Sequence, residues 1–141
     1  MIALLDANLF VPTWIIDPLL SLAEAGLCEP AWSARVMDEA RLAIMEVRHV
    51  PDVRARGFLD AICRAFPMAM AEDWERFEPD VNLSDPNDGH VVAAARRAGA
   101  ETIVTFNLKD FPADELSRYG LHAQSPDVFL TSVSKSCRAD G

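Results

Sequence analysis

The chain has 141 residues and a formal net charge of −9. One domain of this length buries roughly two-thirds of its unfolded surface and needs no disulfide or zinc staple. The acidic balance excludes an extended basic surface that holds nucleic acid by phosphate neutralisation alone. It leaves open plain solubility, and also a nucleic-acid enzyme whose carboxylates recruit divalent cations to face a phosphate.

The composition, 50% hydrophobic and 25% charged, is that of a globular protein. Apolar runs are short and broken by charges or prolines, far from the ~20 residues of a membrane helix. No basic segment precedes an apolar stretch at the N-terminus, so no secretory signal is read and the cytoplasm is the expected location. Cys28, Cys63 and Cys137 are odd in number and widely separated. They lack zinc spacing and read as buried or incidental thiols.

Ile2 to Leu5 is a short apolar run closed by Asp6, read as a buried strand. A helix is expected over Pro18 to Ala25, capped by Asp17, with Pro18 at its first position and Gly26 past its end. Leu27 to Trp32 suggests a second extended segment. Ser33 then caps a helix whose apolar side would hold Val36, Ala40, Ala43, Ile44 and Val47. Pro51 breaks the chain, and Val53 to Phe66 reads as a third helix ended by Pro67. Met68 to Pro79 is expected as a strand with a loop, and Asn82 to Asn87 as a polar turn. A helix starts at Asp88 and stops at Gly99. Thr102 to Phe106 is a strand by its β-branched content, and Asn107 to Pro112 is the loop after it. A short helix over Asp114 to Tyr119, an edge strand His122 to Gln124, and a turn with a short helix over Pro126 to Leu130 complete the domain. The polar segment from Ser132 to Gly141 is expected to be a frayed tail, which divides the chain into a domain over 1–130 and a tail over 131–141. Strands alternating with helices predict a mainly parallel sheet with helices on both faces.

Sites in such folds lie beyond the carboxyl ends of the strands. Asp6 follows the first strand. Asn107 and Asp110 follow the strand at Thr102. Asp85 and Asp88 precede the helix leading into that strand, and Glu39 lies in an earlier helix. Hard cations such as Mg²⁺ and Mn²⁺ prefer such oxygen donors, and a pair of ions can activate water and stabilise a leaving oxygen in phosphodiester cleavage. Each acid has a structural alternative. Asp88 is a good N-cap. Asp85 suits an Asx turn ahead of Pro86. Glu39 suits a solvated helix position, where Asp38 competes with it. Asp110 suits an ordinary loop. Asp6, closing an apolar strand, has the fewest structural reasons. His90 either faces the site or packs beside its helix start. Thr105 and Asn107 either meet a phosphate or water, or cap their loop. Trp14, Trp32 and Trp74 read as packing residues in preference to base-stacking ones.

The order and spacing of three segments together resemble the PIN-domain family. The first is Leu4-Leu5-Asp6-Ala7-Asn8-Leu9-Phe10. The second runs from Trp32-Ser33 through Asp38-Glu39. The third is Asp85-Pro86-Asn87-Asp88-Gly89-His90-Val91-Val92, followed by Ile103-Val104-Thr105-Phe106-Asn107-Leu108-Lys109-Asp110-Phe111-Pro112. The resemblance extends from residue 2 to about Leu130. It implies a three-layer α/β/α sandwich on a central, mainly parallel sheet. It also implies a metal-dependent endoribonuclease of the VapC-like branch, the toxin of a type II toxin–antitoxin pair. Asp6, Asp88 and Asp110 would then ligate Mg²⁺ or Mn²⁺, and Glu39 would bind metal or orient water. Asp85, Asn107, Thr105 and Asn8 are additional candidates. The implied partners are an RNA substrate, a small antitoxin whose basic or polar segment fills the acidic cleft, and a second copy of the chain; no membrane is implied.

Two other classes stand beside this reading. One is a catalytically inactive PIN-like module that binds protein or RNA. The other is a different acid-cluster α/β protein. An aspartate-nucleophile phosphatase wants an acid two residues after Asp6, where this chain has Asn8. A receiver domain wants paired acids after its first strand, and phosphate-binding glycine loops are missing as well.

Overall fold

The computed structural model describes residues 1–140, with side chains as far as Lys135; Cys137 and Gly141 lie outside those described in full. Four short parallel strands form the sheet: β1 (Ile2–Leu5), β2 (Glu29–Ala31), β3 (Thr102–Val104) and β4 (His122–Gln124). Their order is β2-β1-β3-β4. The central pair is in register with Ala3 opposite Thr102 and Leu5 opposite Val104.

Side chains alternate across these strands, which splits the core into two layers. On one face Ala3, Leu5 and Val104 pack with α1 (Thr13–Glu24), α2 (Ala34–Arg48), α3 (Asp52–Ala65) and α6 (Pro126–Asp140). On the other, Leu4 and Ile103 pack with Trp74, α4 (Gly89–Ala98) and α5 (Ala113–Leu116). The α/β/α sandwich expected from the sequence is the observed architecture. All strand-to-strand connections return to the parallel direction, so helices cover both faces.

The layout has a direct consequence for function. From β1 the chain winds outward to β2 through α1 on one face. From β3 it winds the opposite way to β4 through α5 on the other face. The winding reverses between β1 and β3, and the carboxyl ends of strands at such a reversal form a ready crevice.

Several boundaries differ from expectation. Helix α1 starts at Thr13, not Pro18, and Pro18 lies inside it. Ile15, Ile16 and Leu19 are buried together, so the apolar face extends over the turn before the proline and outweighs its lost N–H. Asp17 therefore caps nothing. Within α2, Val47 is exposed, while Val36, Met37, Ala40 and Ile44 carry the packing. The segment after Pro67 is not a strand with a loop. It touches Trp32 by a single parallel bridge at Met70 and then forms a 3-10 turn over Trp74–Asp80 that buries Trp74. Strand β3 stops at Val104, two residues early, because the chain turns outward at Phe106. The expected frayed segment from Ser132 instead continues α6 to Asp140, with Val133 buried in the core beside Phe129.

Trp32 anchors the larger layer. It is fully buried, with Phe10 and Phe66 edge-on to its ring at 5.7 and 6.3 Å between centroids. Trp32→Ala is expected to cost about 3–5 kcal/mol of unfolding free energy in urea titrations, the usual range for truncating a buried large aromatic. A loss under ~1 kcal/mol would mean that the aromatic trio does not organise this layer.

Candidate metal centre

The chain reverses immediately after β1, and Asp6 is fixed at that point from two sides. Its Oδ1 accepts from the Ala7 backbone N–H at 2.8 Å. Its Oδ2 accepts from the Thr105 hydroxyl at 2.8 Å. Thr105 is fully buried and its Oγ also accepts from the Asn107 N–H at 3.0 Å. Thr105 therefore both closes its loop and orients Asp6. Asn107 opens a 3-10 turn over Leu108–Asp110, which brings Asp110 to the same end of the sheet.

Asp85 accepts from the Asn87 N–H at 3.0 Å and forms the Asx turn ahead of Pro86. Asp88 occupies the position before α4, but its side chain makes no capping bond. Its carboxyl is thus released from the structural role that the sequence suggested. Burial, followed by repulsion from Asp110, Asp85, Asp6 and Glu39, pushes the Asp88 carboxyl from its ordinary 3.8 up to about 6.

Helix α2 is started by Ser33, whose hydroxyl accepts from the Val36 N–H. Asp38 and Glu39 leave this helix in different directions. Asp38 bonds Arg41 at 2.7 Å on the exposed side. Glu39 reaches His90, with Oε1 at 3.0 Å from Nε2. Burial raises the Glu39 carboxyl pKa; Arg35 opposes that rise, and Asp6 and Asp38 reinforce it. His90 is almost fully buried against Trp74. Burial, then Arg35, lowers its pKa from 6.5 to about 4, against the pull of Asp6 and Glu78. The ring is therefore neutral near pH 7, so its 3.0 Å contact with Glu39 is not an ion pair. The two readings of His90 are both realised: it is packed beside the start of α4 and it faces the acids.

Asp6, Glu39, Asp85 and Asp110 thus all oppose the charge of Asp88 beside the reversal point between β1 and β3. They are not drawn tightly together: among the described residues no group of three or more His, Cys, Asp or Glu is arranged to hold an ion as it stands. Mutual repulsion favours such spreading, and a hard divalent cation that takes one or two carboxylates with water in its other positions fits this donor set. Asn8 is exposed and Asn107 half-buried on the flanking turns. A groove of about 740 Å³ lies elsewhere, beside β2, lined by Pro30, Phe66, Met68 and Met70 among others and by none of the five acids. Trp32 and Trp74 are buried packing residues, as expected, whereas Trp14 is 70% exposed.

Comparison with known proteins agrees with this architecture. The PIN domain family model matches residues 3–109, and the chain belongs to the PIN-domain family. A protein of Mycobacterium tuberculosis (strain ATCC 25618 / H37Rv), named "Putative ribonuclease VapC50", is 58% identical over 43 residues. That stretch is 30% of this chain and spans only about a quarter, 25%, of the relative's length. The crystal structure of VapBC2 from Rickettsia felis, bound to a DNA fragment from its promoter, contains a chain that superposes with a TM-score of 0.61. The match covers 89% of this chain and 98% of that one at 19% identity, a likeness of fold.

The charge cluster sets a pH dependence. The folded protein binds the Asp88 proton more tightly than the unfolded chain does. Stability from this group is therefore present at low pH and is lost as pH rises through about 6. In chelator, Asp88→Asn is expected to raise the thermal midpoint at ~pH 8 and change it little at ~pH 4, measured by circular dichroism melts. A variant no more stable than the parent at the higher pH would show that Asp88 is not held among repelling charges.

Proposed function

We propose that this chain is a metal-dependent endoribonuclease, the toxin of a type II toxin–antitoxin pair, with Asp6, Glu39, Asp88 and Asp110 as its catalytic acids. The observation that carries the reading is Asp88: a carboxyl with no capping bond, beside the reversal point of the sheet, whose charge is opposed by burial and by four other carboxylates. A structural role would have paired these acids with cations; a role in binding cations leaves them free.

Bound Mg²⁺ or Mn²⁺ would supply Lewis acidity toward a phosphoryl oxygen and lower the pKa of an attached water. The chain's own groups do the rest. Asp6, fixed by Ala7 and Thr105, presents a carboxylate whose orientation costs little on binding. Asp88, from the turn before α4, and Asp110, from the turn after β3, supply further oxygens, and Asp85 adds negative charge from the Asx turn. Glu39, partly buried and raised in pKa, is placed to ligate or to take a proton from water. Asn107 and Asn8 offer neutral amides for a phosphate or a bound water. The net charge of −9 makes the cation the means by which a polyanion is tolerated here. The cognate partner is a small antitoxin that places a basic or polar segment among the same acids, and a second copy of the chain is the other proposed partner. The proposed site of action is the cytoplasm; no helix among the described residues is long and apolar enough to cross a membrane.

The test has two parts. Mn²⁺ and Mg²⁺ are expected to raise the melting temperature of the wild type, with a smaller rise in Asp6→Asn. Purified protein is expected to cleave RNA, with tRNA among the substrates, only with added metal. Asp6→Asn, Asp88→Asn and Asp110→Asn should each lower the rate by about a hundredfold or more, since losing even a supporting partner of a ligand costs about 10–100-fold. Metal-independent stability, no cleavage of varied RNAs and undiminished toxicity of the acid variants in cells would reject the proposal. Retained partner binding would then favour the inactive module.

A further inference from the structure

We infer that His90 is a positioning residue of this centre: its Nε2–H holds the Glu39 carboxylate in one orientation across the end of the sheet. The inference rests on the reading of these acids as a metal centre. Helix α4 packs on one face of the sheet and α2 on the other. The contact between His90 and Glu39, at 3.0 Å, is therefore a tie between the two layers at the end where Asp6 emerges. The ring is 1% exposed and set against Trp74 at 6.0 Å between centroids. It is an immobile donor. Glu39 is the opposite, with a side chain 44% exposed and several rotamers open to it unless something selects one.

The tautomer follows from burial. Nδ1 is buried with no hydrogen-bond partner. An N–H left there would lose its hydration with no return, and a bare ring nitrogen is the less costly orphan. The proton is therefore assigned to Nε2, which lies 3.0 Å from a Glu39 carboxylate oxygen able to accept it. A ring needed only for packing would be better replaced by an apolar side chain, because burying a polar ring is unfavourable unless it bonds. The neighbouring acid, Asp38, turns to Arg41, so His90 acts on Glu39 alone of that pair. Groups that orient metal-ligating side chains contribute about 10–100-fold to affinity.

The experiment is Mn²⁺ titration calorimetry on wild type, Asp6→Asn, His90→Leu, His90→Gln, Glu39→Ala and the double variant His90→Leu/Glu39→Ala. It is combined with ¹⁵N spectra of the His90 ring in wild type and Glu39→Ala. His90→Leu should weaken Mn²⁺ binding about tenfold or more. His90→Gln, which keeps an N–H donor, should stay within about threefold of wild type. The double variant should bind no more weakly than Glu39→Ala alone, the signature of one pathway. The ring should carry its proton on Nε2, with a signal that moves in Glu39→Ala. His90→Leu binding as tightly as wild type while Glu39→Ala is weakened, or effects that add, would overturn the inference. Should His90→Leu fail to fold, the ring spectra decide: a proton on Nδ1, or a signal indifferent to Glu39→Ala, overturns it equally. If Mn²⁺ binds none of these proteins, or binds Glu39→Ala and Asp6→Asn as it binds wild type, the metal-centre reading itself falls and takes the inference with it.

Discussion

The parallel pairing of β1 with β3 sets Leu5 beside Val104 and so brings Asp6 and Thr105, 99 residues apart, into hydrogen-bond contact. The Asp6 N–H continues that ladder by bonding the Val104 carbonyl. Every other group at the candidate centre is referred to this junction. The turn after β3 delivers Asp110. The helix that feeds β3 delivers Asp88 and His90 at its start. Helix α2, on the far face, delivers Glu39. Two short strands suffice because both faces of the sheet are covered and the pair is fully buried. A slip of one residue in this register would send Leu4 to the wrong layer and point Asp6 away from Thr105.

Gathering carboxylates at one end of a sheet works against folding. Burial first, and the neighbouring acids after it, raise the carboxyl pKa values of Asp88 and Glu39. The protein offsets the cost with packing placed on both sides: Trp32, Phe10 and Phe66 under α2, and the small-residue run Val91 to Ala95 that lets α4 sit close on the other face. Gly99, with φ near +73°, ends that helix where an L side chain would be strained, and β3 follows three residues later.

Much of this was legible in the sequence. Alternating strand and helix patterns define the α/β class, and an acid closing an apolar strand marks Asp6. Three features were not legible, each for a physical reason. Periodicity could not start α1 before Pro18, because helix breakers weigh more in a local reading than a buried face that only tertiary packing reveals. The choice between Asp38 and Glu39 depended on Arg41, three residues on, and on His90, from another layer. The pairing of Glu39 with His90 joins residues with no sequence relation, so spacing carries no trace of it. Asp88 misled in the opposite direction: its position before a helix suggested a cap, and only the geometry shows the side chain unused for that purpose.

Two groups of acids in this protein differ in what they contact. Asp38 and Asp52 are gripped by Arg41 and Arg56, at 2.5 to 2.7 Å, on the outer surface. Three acids near the reversal point meet neutral groups instead: Asp6 accepts from a hydroxyl and a backbone N–H, Asp85 from a backbone N–H, and Glu39 lies 3.0 Å from an uncharged imidazole. Even Arg35, whose charge reaches both Glu39 and His90, forms its ion pair with Glu78 instead. A cationic partner orients a carboxylate but also neutralises it, whereas a neutral donor orients it and leaves its charge for something else. Orientation without neutralisation has no advantage for stability, since the repulsion stays in place. It is the arrangement that the proposed site for external cations would require, drawn from residues of both layers.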